Sequence, residues 1–305
     1  MTTLITGVTG GLGAAILENL SKSVPASDIA VLVRSAEKGQ VFKEAGYDVR
    51  IGDYSNQSVL ENAFAEIETL MFVSGAPGQA TPREVQHQNV IAAAKMAGVK
   101  NIVYTSITRA DSSAAVLAPD HKATEIALQA SDLNVKVLRN NWYVENEIET
   151  VRAALAGQPF VHAGGKGKVG WAARRDYAEA AAHALTQDFD GYQVYELAGK
   201  AVTYADFAKA AQAATGKDFQ VLSVSLEDYQ KGLAKAGLPK EAIFVLSAIQ
   251  ADIADGQLDI ADSDLENLLG RPQTDLVTAI KELLSKSRQT CVCLRMKTNL
   301  DFDVC

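Results

Sequence analysis

Short apolar runs alternate with longer amphipathic ones through the first 140 residues. Residues 3–6, 29–34, 48–51, 69–73, 101–105 and 135–139 have the length and side-chain pattern of strands. Val31-Leu32-Val33 is apolar throughout, the pattern of a strand covered on both faces. Between the strands, residues 12–21, 37–45, 57–65, 83–97 and 122–131 carry helical patterns, and Gly98 stands where a helix-terminating glycine belongs. Six strands alternating with helices predict an α/β fold, a Rossmann-type doubly wound parallel sheet with right-handed crossovers.

After Asn140 the rhythm changes. Residues 164–170 are glycine-rich and read as a flexible surface loop. Asp176-Tyr-Ala-Glu179 has the form of a capping box opening an alanine-rich helix, and Thr203-Tyr-Ala-Asp206 opens another. Residues 192–197 read as one more strand returning to the sheet, and 219–225 as a further strand, with helices to about Ser285. The expected organisation is therefore a dinucleotide-binding unit at 1–155, to which about 175–200 returns. A smaller α/β portion spans 156–285, and a tail spans 286–305.

Composition narrows the partners. The chain has 305 residues and a net charge of −8, which disfavours a binder of phosphate backbones and points to no nucleic-acid partner. No apolar run approaches the ~20 residues that span a bilayer, so no membrane partner is expected. All three cysteines, Cys291, Cys293 and Cys305, lie in the tail. A body free of cysteine suits the reducing cytoplasm and carries no disulfide framework. The four histidines, His87, His121, His162 and His183, are scattered without metal-ligand spacing, so no metal is expected.

The first strand runs into Thr6-Gly7-Val8-Thr9-Gly10-Gly11-Leu12-Gly13. Glycine at 7, 10 and 13 allows a tight turn, close backbone approach to a pyrophosphate, and close helix-to-strand packing. The freed N–H groups of the helix start then aim at the anion. After a strand and before a helix, this pattern is a strong dinucleotide signal. The second strand ends in Arg34-Ser35 where an NAD site presents a carboxylate, about 20 residues after Gly13. A guanidinium there pairs with a 2′-phosphate, so NADPH is the expected cofactor, with NADH weaker. Asp53 after the third strand is placed to reach the adenine amine. Ser74 and Gly75 follow the fourth strand at the same ligand-binding edge.

Taken together, T-G-x-T-G-x-x-G, V-R-S, G-D-Y and Tyr104-Thr105-Ser106 resemble the NmrA-like branch of atypical short-chain dehydrogenases/reductases. Leu138-Arg-Asn-Asn-Trp-Tyr-Val-Glu-Asn146, Val24-Pro-Ala-Ser27 and Arg174-Arg-Asp176 are similar to the bacterial type 2 NAD(P)H:quinone oxidoreductases and triphenylmethane reductases. The resemblance covers about residues 1–285. It implies that the loop of Leu138, Arg139, Asn140, Asn141, Trp142 and Tyr143 lines the nicotinamide side of the cleft, and that Arg174 touches the cofactor.

Ordinary members of the wider superfamily use Tyr-x-x-x-Lys, but none of the nine tyrosines has lysine four positions later. The corresponding helix carries His121 and Glu125 on one face instead. Alcohol oxidation through a tyrosinate is thereby disfavoured. A quinone needs less electrophilic help, because its reduction restores aromaticity, and the protein has mainly to align donor and acceptor. Asn141 is the candidate hydrogen-bond donor to a developing oxyanion, Tyr143 and Trp142 the flat wall, and a partly exposed His121 the proton donor. Core roles for Trp142 and Tyr143, and no role for His121, are the plainer alternatives.

The expected function is NADPH-dependent hydride transfer to quinones or similar planar conjugated electrophiles, by a monomer or homodimer. The alternatives are a non-catalytic NmrA-like dinucleotide sensor and a reductase of cationic dyes or enones. Residues 286–305 show no regular periodicity and no family counterpart. They read as an extension of cloning or frameshift origin, with a redox appendage as the alternative.

Overall fold

The computed structural model describes residues 2–290, with side chains to Ser285. Its first half is a strict βα alternation. The elements are β1 (Thr3–Ile5), α1 (Gly11–Leu20), β2 (Ile29–Val33), α2 (Ala36–Glu44), β3 (Asp48–Ile51), α3 (Gln57–Ala63), β4 (Thr69–Phe72), α4 (Arg83–Ala97), β5 (Asn101–Ile107), α5 (Ala118–Gln129) and β6 (Asn134–Asn140). There follow α6 (Ile148–Leu155), β7 (Phe160–His162), β8 (Lys168–Val169), α7 (Arg174–Thr186), β9 (Tyr192–Leu197), β10 (Val202–Thr203), α8 (Tyr204–Thr215) and β11 (Val221–Ser223). The last helices are α9 (Leu226–Lys235), α10 (Lys240–Ala254), α11 (Leu265–Leu269) and α12 (Leu276–Thr290).

Seven strands form one parallel sheet in the order β3-β2-β1-β4-β5-β6-β9. Strand periodicity divides the core between its two faces. In β2, Ile29, Val31 and Val33 pack toward α1, α7 and α11, whereas Ala30 and Leu32 pack toward α3, α4 and α5. Each fully buried leucine or isoleucine contributes roughly 1.5–3 kcal/mol, so a one-residue register slip would reverse both layers at once. Lys136 is a buried cation in the middle of β6. Its Nζ donates to the carbonyls of Ala184 and Gln187 at 2.9 and 3.0 Å, capping the end of α7.

A third core joins the segment after β6 to the C-terminal helices, with Trp142, Trp171, Tyr204, Phe207, Ile253 and Ile280 at its centre. It corrects the reading of the glycine-rich stretch. A Cβ on Gly167 would lie 1.8 Å from the Ile253 carbonyl oxygen and one on Gly164 2.8 Å from Ile253 Cγ2, so these glycines form a packed corner rather than a free loop. Residues inside that stretch form β8, paired antiparallel to β10.

Three other boundaries move. α7 starts at Arg174 with Ala173 as its N-cap, so Asp176 caps nothing. Fully buried, it accepts instead from Arg271 Nη2 at 2.8 Å and Thr274 N at 2.7 Å. The Thr203–Asp206 capping box is formed. α5 begins four residues earlier than its pattern suggested, and α12 runs on to Thr290, past the expected end of the body. The remaining tail, with its cysteines, lies outside the described residues. No helix among the described residues is long and apolar enough to cross a membrane.

Candidate functional site

Strand order reverses between β1 and β4, and a crevice opens at the carboxyl ends of these strands. A cleft of about 370 Å³ lies there. The turn after β1 forms its floor. Gly7 sits in the left-handed region at φ 66°, and Gly10 N donates to Gly7 O at 2.9 Å. A Cβ on Gly13 would stand 2.3 Å from the Gly7 carbonyl oxygen, so α1 approaches the strand end as closely as backbone allows. No side chain caps α1, and its first turn holds no acidic residue. The helix start therefore presents N–H groups and a positive dipole end to the cleft. Thr9, Gly10, Gly11, Leu12 and Gly13 all line it, while Val8 is turned into the core.

At one end, Arg34 leaves the tip of β2 exposed to solvent, with Asp53 across from it on the lining. The Asp53 carboxylate accepts from Ser55 Oγ at 2.6 Å and Ser55 N at 2.9 Å, and these bonds, with help from Arg34, hold it below the usual carboxylate range. Tyr54 bridges the two central strands, its hydroxyl touching Thr6 Oγ1 and lying 2.8 Å from the Val73 carbonyl. Beyond β4 the chain is pinned by its neighbours. Ser74 N donates to Thr105 Oγ1 at 2.9 Å, Gly75 N to His87 Nε2 at 3.0 Å, and Gln86 Nε2 to the Thr81 carbonyl at 2.8 Å. Sequence reasoning assigned no role to Tyr54, Gln86 or His87. Tyr54 carried a signal, since it directly follows Gly52-Asp53; the two helical residues carried none.

The loop after β6 divides. Tyr143 lines the cleft, packed edge-on against Tyr177 at 5.2 Å, with the Arg174 guanidinium 5.3 Å from its ring centre. Asn140 Nδ2 donates to its hydroxyl at 3.3 Å. The other expected site residues turn their side chains away from it. Leu138 lies in the sheet's core. Asn141 spends its amide on the Leu258 carbonyl and Trp142 N, at 3.1 and 2.8 Å. Trp142 anchors the third core and donates Nε1 to the buried Glu147 carboxylate at 3.0 Å. Burial holds Glu147 above the ordinary range for glutamate. Arg139 pairs with Glu125, Glu196 and Asp111 at 2.6, 3.0 and 3.3 Å, so its charge is neutralised within the fold.

His121 is likewise not at the surface. It is 0% exposed, with Nε2 2.7 Å from Arg83 Nη2 and Nδ1 2.8 Å from the Tyr104 hydroxyl. A buried ring with both nitrogens engaged is no proton donor to a ligand in the cleft. Helical spacing had correctly put His121 and Glu125 on one face of α5, but that face looks inward.

A parallel sheet reversing at β1/β4, an uncapped glycine-rich helix start at the reversal, and a cation past β2 define a Rossmann-type dinucleotide-binding protein. The NAD(P)H-binding family model matches residues 7–188. The chain belongs to that family and, within it, to the NmrA-like branch that includes quinone oxidoreductase 2 and triphenylmethane reductase. Quinone oxidoreductase 2 of Escherichia coli is 38% identical over 283 residues, covering 92% of this chain and 98% of that protein. Its crystal structure in complex with NADPH matches with a TM-score of 0.87, over 93% of this chain and 100% of that one. Triphenylmethane reductase of Citrobacter sp. matches with a TM-score of 0.88 and 34% identity, over 93% of this chain and 100% of that one.

Proposed function

We propose that the protein is an NADPH-dependent reductase of quinones and similar planar conjugated electrophiles. The observation that carries this reading is that the glycine turn after β1, Arg34 and Asp53 line one cleft at the carboxyl edge of the sheet, in a chain akin over its length to E. coli quinone oxidoreductase 2.

The residues present fit the dinucleotide. The start of α1, with its glycine turn, would receive the pyrophosphate, Arg34 the 2′-phosphate and Asp53 the adenine amine. When bound, NADPH supplies the hydride. Tyr143, buried between Tyr177 and the Arg174 guanidinium, fixes the inner end of the cleft and helps orient what binds there. Hydride plus one proton converts a quinone to the hydroquinone, and with His121 and Glu125 buried, solvent delivers that proton. A cysteine-free body suits the reducing cytoplasm.

NADPH oxidation followed over benzoquinones, naphthoquinones, cationic and azo dyes, and enones tests the reading. Quinones should turn over best. Tight NADPH binding without turnover of any quinone overturns it and leaves a dinucleotide sensor, while faster turnover of dyes than of quinones moves the activity to that of a dye reductase.

A further inference from the structure

Beneath the segment after β4 lies a buried chain of polar groups drawn from β5, α4 and α5. Gly75 donates its backbone N–H to His87 Nε2 at 3.0 Å. A backbone N–H only donates, so this nitrogen bears no proton, and the neutral ring carries its proton on Nδ1. Nδ1 lies 2.8 Å from Thr124 Oγ1, which accepts from it and passes its own proton to the Asp120 carbonyl at 2.7 Å. The neighbouring ring obeys the same logic. Arg83 Nη2 only donates, so His121 Nε2 accepts and Nδ1–H points to the Tyr104 hydroxyl. The Tyr104 hydroxyl is the more distant neighbour of His87 Nδ1, at 3.5 Å against 2.8 Å for Thr124 Oγ1.

We propose that His87 is a positioning residue for the cleft: as the neutral Nδ1–H tautomer it holds Gly75 by the amide and sets the wall formed by residues 74–81. Gly75 lines the cleft, and His87 acts through it. The tautomer is selected by Thr124, whose hydroxyl is already committed as a donor to Asp120. Contact is close enough to transmit position, since a Cβ on Gly75 would meet Gln86 Oε1 at 3.2 Å and His87 Nε2 at 3.6 Å. Arg83, 5% exposed, fixes a positive charge beside the ring and opposes a second one. The inference rests on reading the cleft as a dinucleotide site.

Two measurements need neither dinucleotide nor quinone, so they succeed or fail independently of the proposed activity. NMR of the histidine ring nitrogens should show His87 as the Nδ1–H tautomer; the Nε2–H tautomer overturns the inference without any variant. Amide exchange at Gly75 should accelerate about ten-fold or more in His87→Leu, which orphans a buried donor. It should return toward the native rate in His87→Gln, whose amide oxygen accepts in the same place. NADPH affinity should follow that order, weakening about ten-fold in the leucine variant and much less in the glutamine variant, with kcat moving less than KM. Unchanged Gly75 exchange in folded His87→Leu, or a glutamine variant no better than leucine, overturns the inference. If His87→Leu does not fold, Thr124→Val replaces it: Gly75 exchange must rise when the group selecting the tautomer is removed, and an unchanged rate overturns the inference.

Discussion

The Glu125 carboxylate grips the Arg139 guanidinium with two bonds, Oε1 to Nε at 3.0 Å and Oε2 to Nη2 at 2.6 Å, between side chains that are both buried. Ser106 Oγ donates to the same carboxylate at 2.6 Å. Breaking a buried pair by removing one partner strands the other charge and costs about 3–5 kcal/mol. Arg139→Met should therefore lower the unfolding free energy by about that amount in urea titrations. NADPH affinity of the folded variant should change by less than about three-fold, a few tenths of a kcal/mol. A large affinity loss with intact stability would return Arg139 to the cofactor.

Arg34 makes the opposite expectation. It is exposed at the tip of β2 on the cleft's rim, with no ion pair among the described residues. Arg34→Ala should leave stability within about 0.5 kcal/mol of native. It should weaken NADPH binding about ten-fold or more while NADH binding changes about two-fold or less, because a charge-assisted bond to phosphate is worth about 1.5–3 kcal/mol. Equal losses for both dinucleotides, measured at low salt, would separate Arg34 from the 2′-phosphate.

These two arginines show what was legible in the chain. Arg34 follows a strand that periodicity identifies, and the carboxyl edge of a parallel sheet is where ligands bind, so one-dimensional order carries its address. The glycine turn is readable for the same reason, its spacing being backbone geometry written directly in residue type. Arg139 is also at a strand's carboxyl end, but one step along a strand reverses a side chain's face. Helical spacing joined His121 to Glu125 without saying whether their face meets the cleft or the core. Asp176 has capping chemistry, yet Arg271 and Thr274, distant in sequence, compete for its carboxylate. Contacts of that range follow from packing, which no local pattern encodes.

Gly13→Ala tests the floor of the cleft. The added Cβ would meet the Gly7 carbonyl oxygen at 2.3 Å and Val8 N at 2.9 Å, backbone atoms that can retreat only by opening the turn. Overpacking of this kind costs about 1–3 kcal/mol in stability. NADPH binding should suffer more than stability, because the displaced atoms are those that aim the helix start. Retention of native affinity for the dinucleotide would show that the turn yields elsewhere.

Acid should weaken the fold through His87. Burial, and after it the charge of Arg83, lower its pKa from 6.5 to about 3. Facing the ring are Arg83 on the same helix, Tyr104 from β5, and Thr124 and Asp120 from α5, the Asp120 carboxylate lying 3.9 Å from Arg83 Nη1. In the unfolded chain the imidazole titrates near 6.5. Between about 3 and 6.5 the unfolded state therefore binds more protons than the folded one, so this group's contribution falls as pH falls through that window. From pH 7 to pH 5 the loss is about 2 kcal/mol. His87→Gln has no such proton to bind. The stability of the native protein relative to this variant, measured by urea unfolding at the two pH values, should drop by about 2 kcal/mol between them. The same difference at both pH values would mean that the folded protein accepts a proton on His87 as readily as the unfolded chain does, and that Gly75 is not held by a neutral ring.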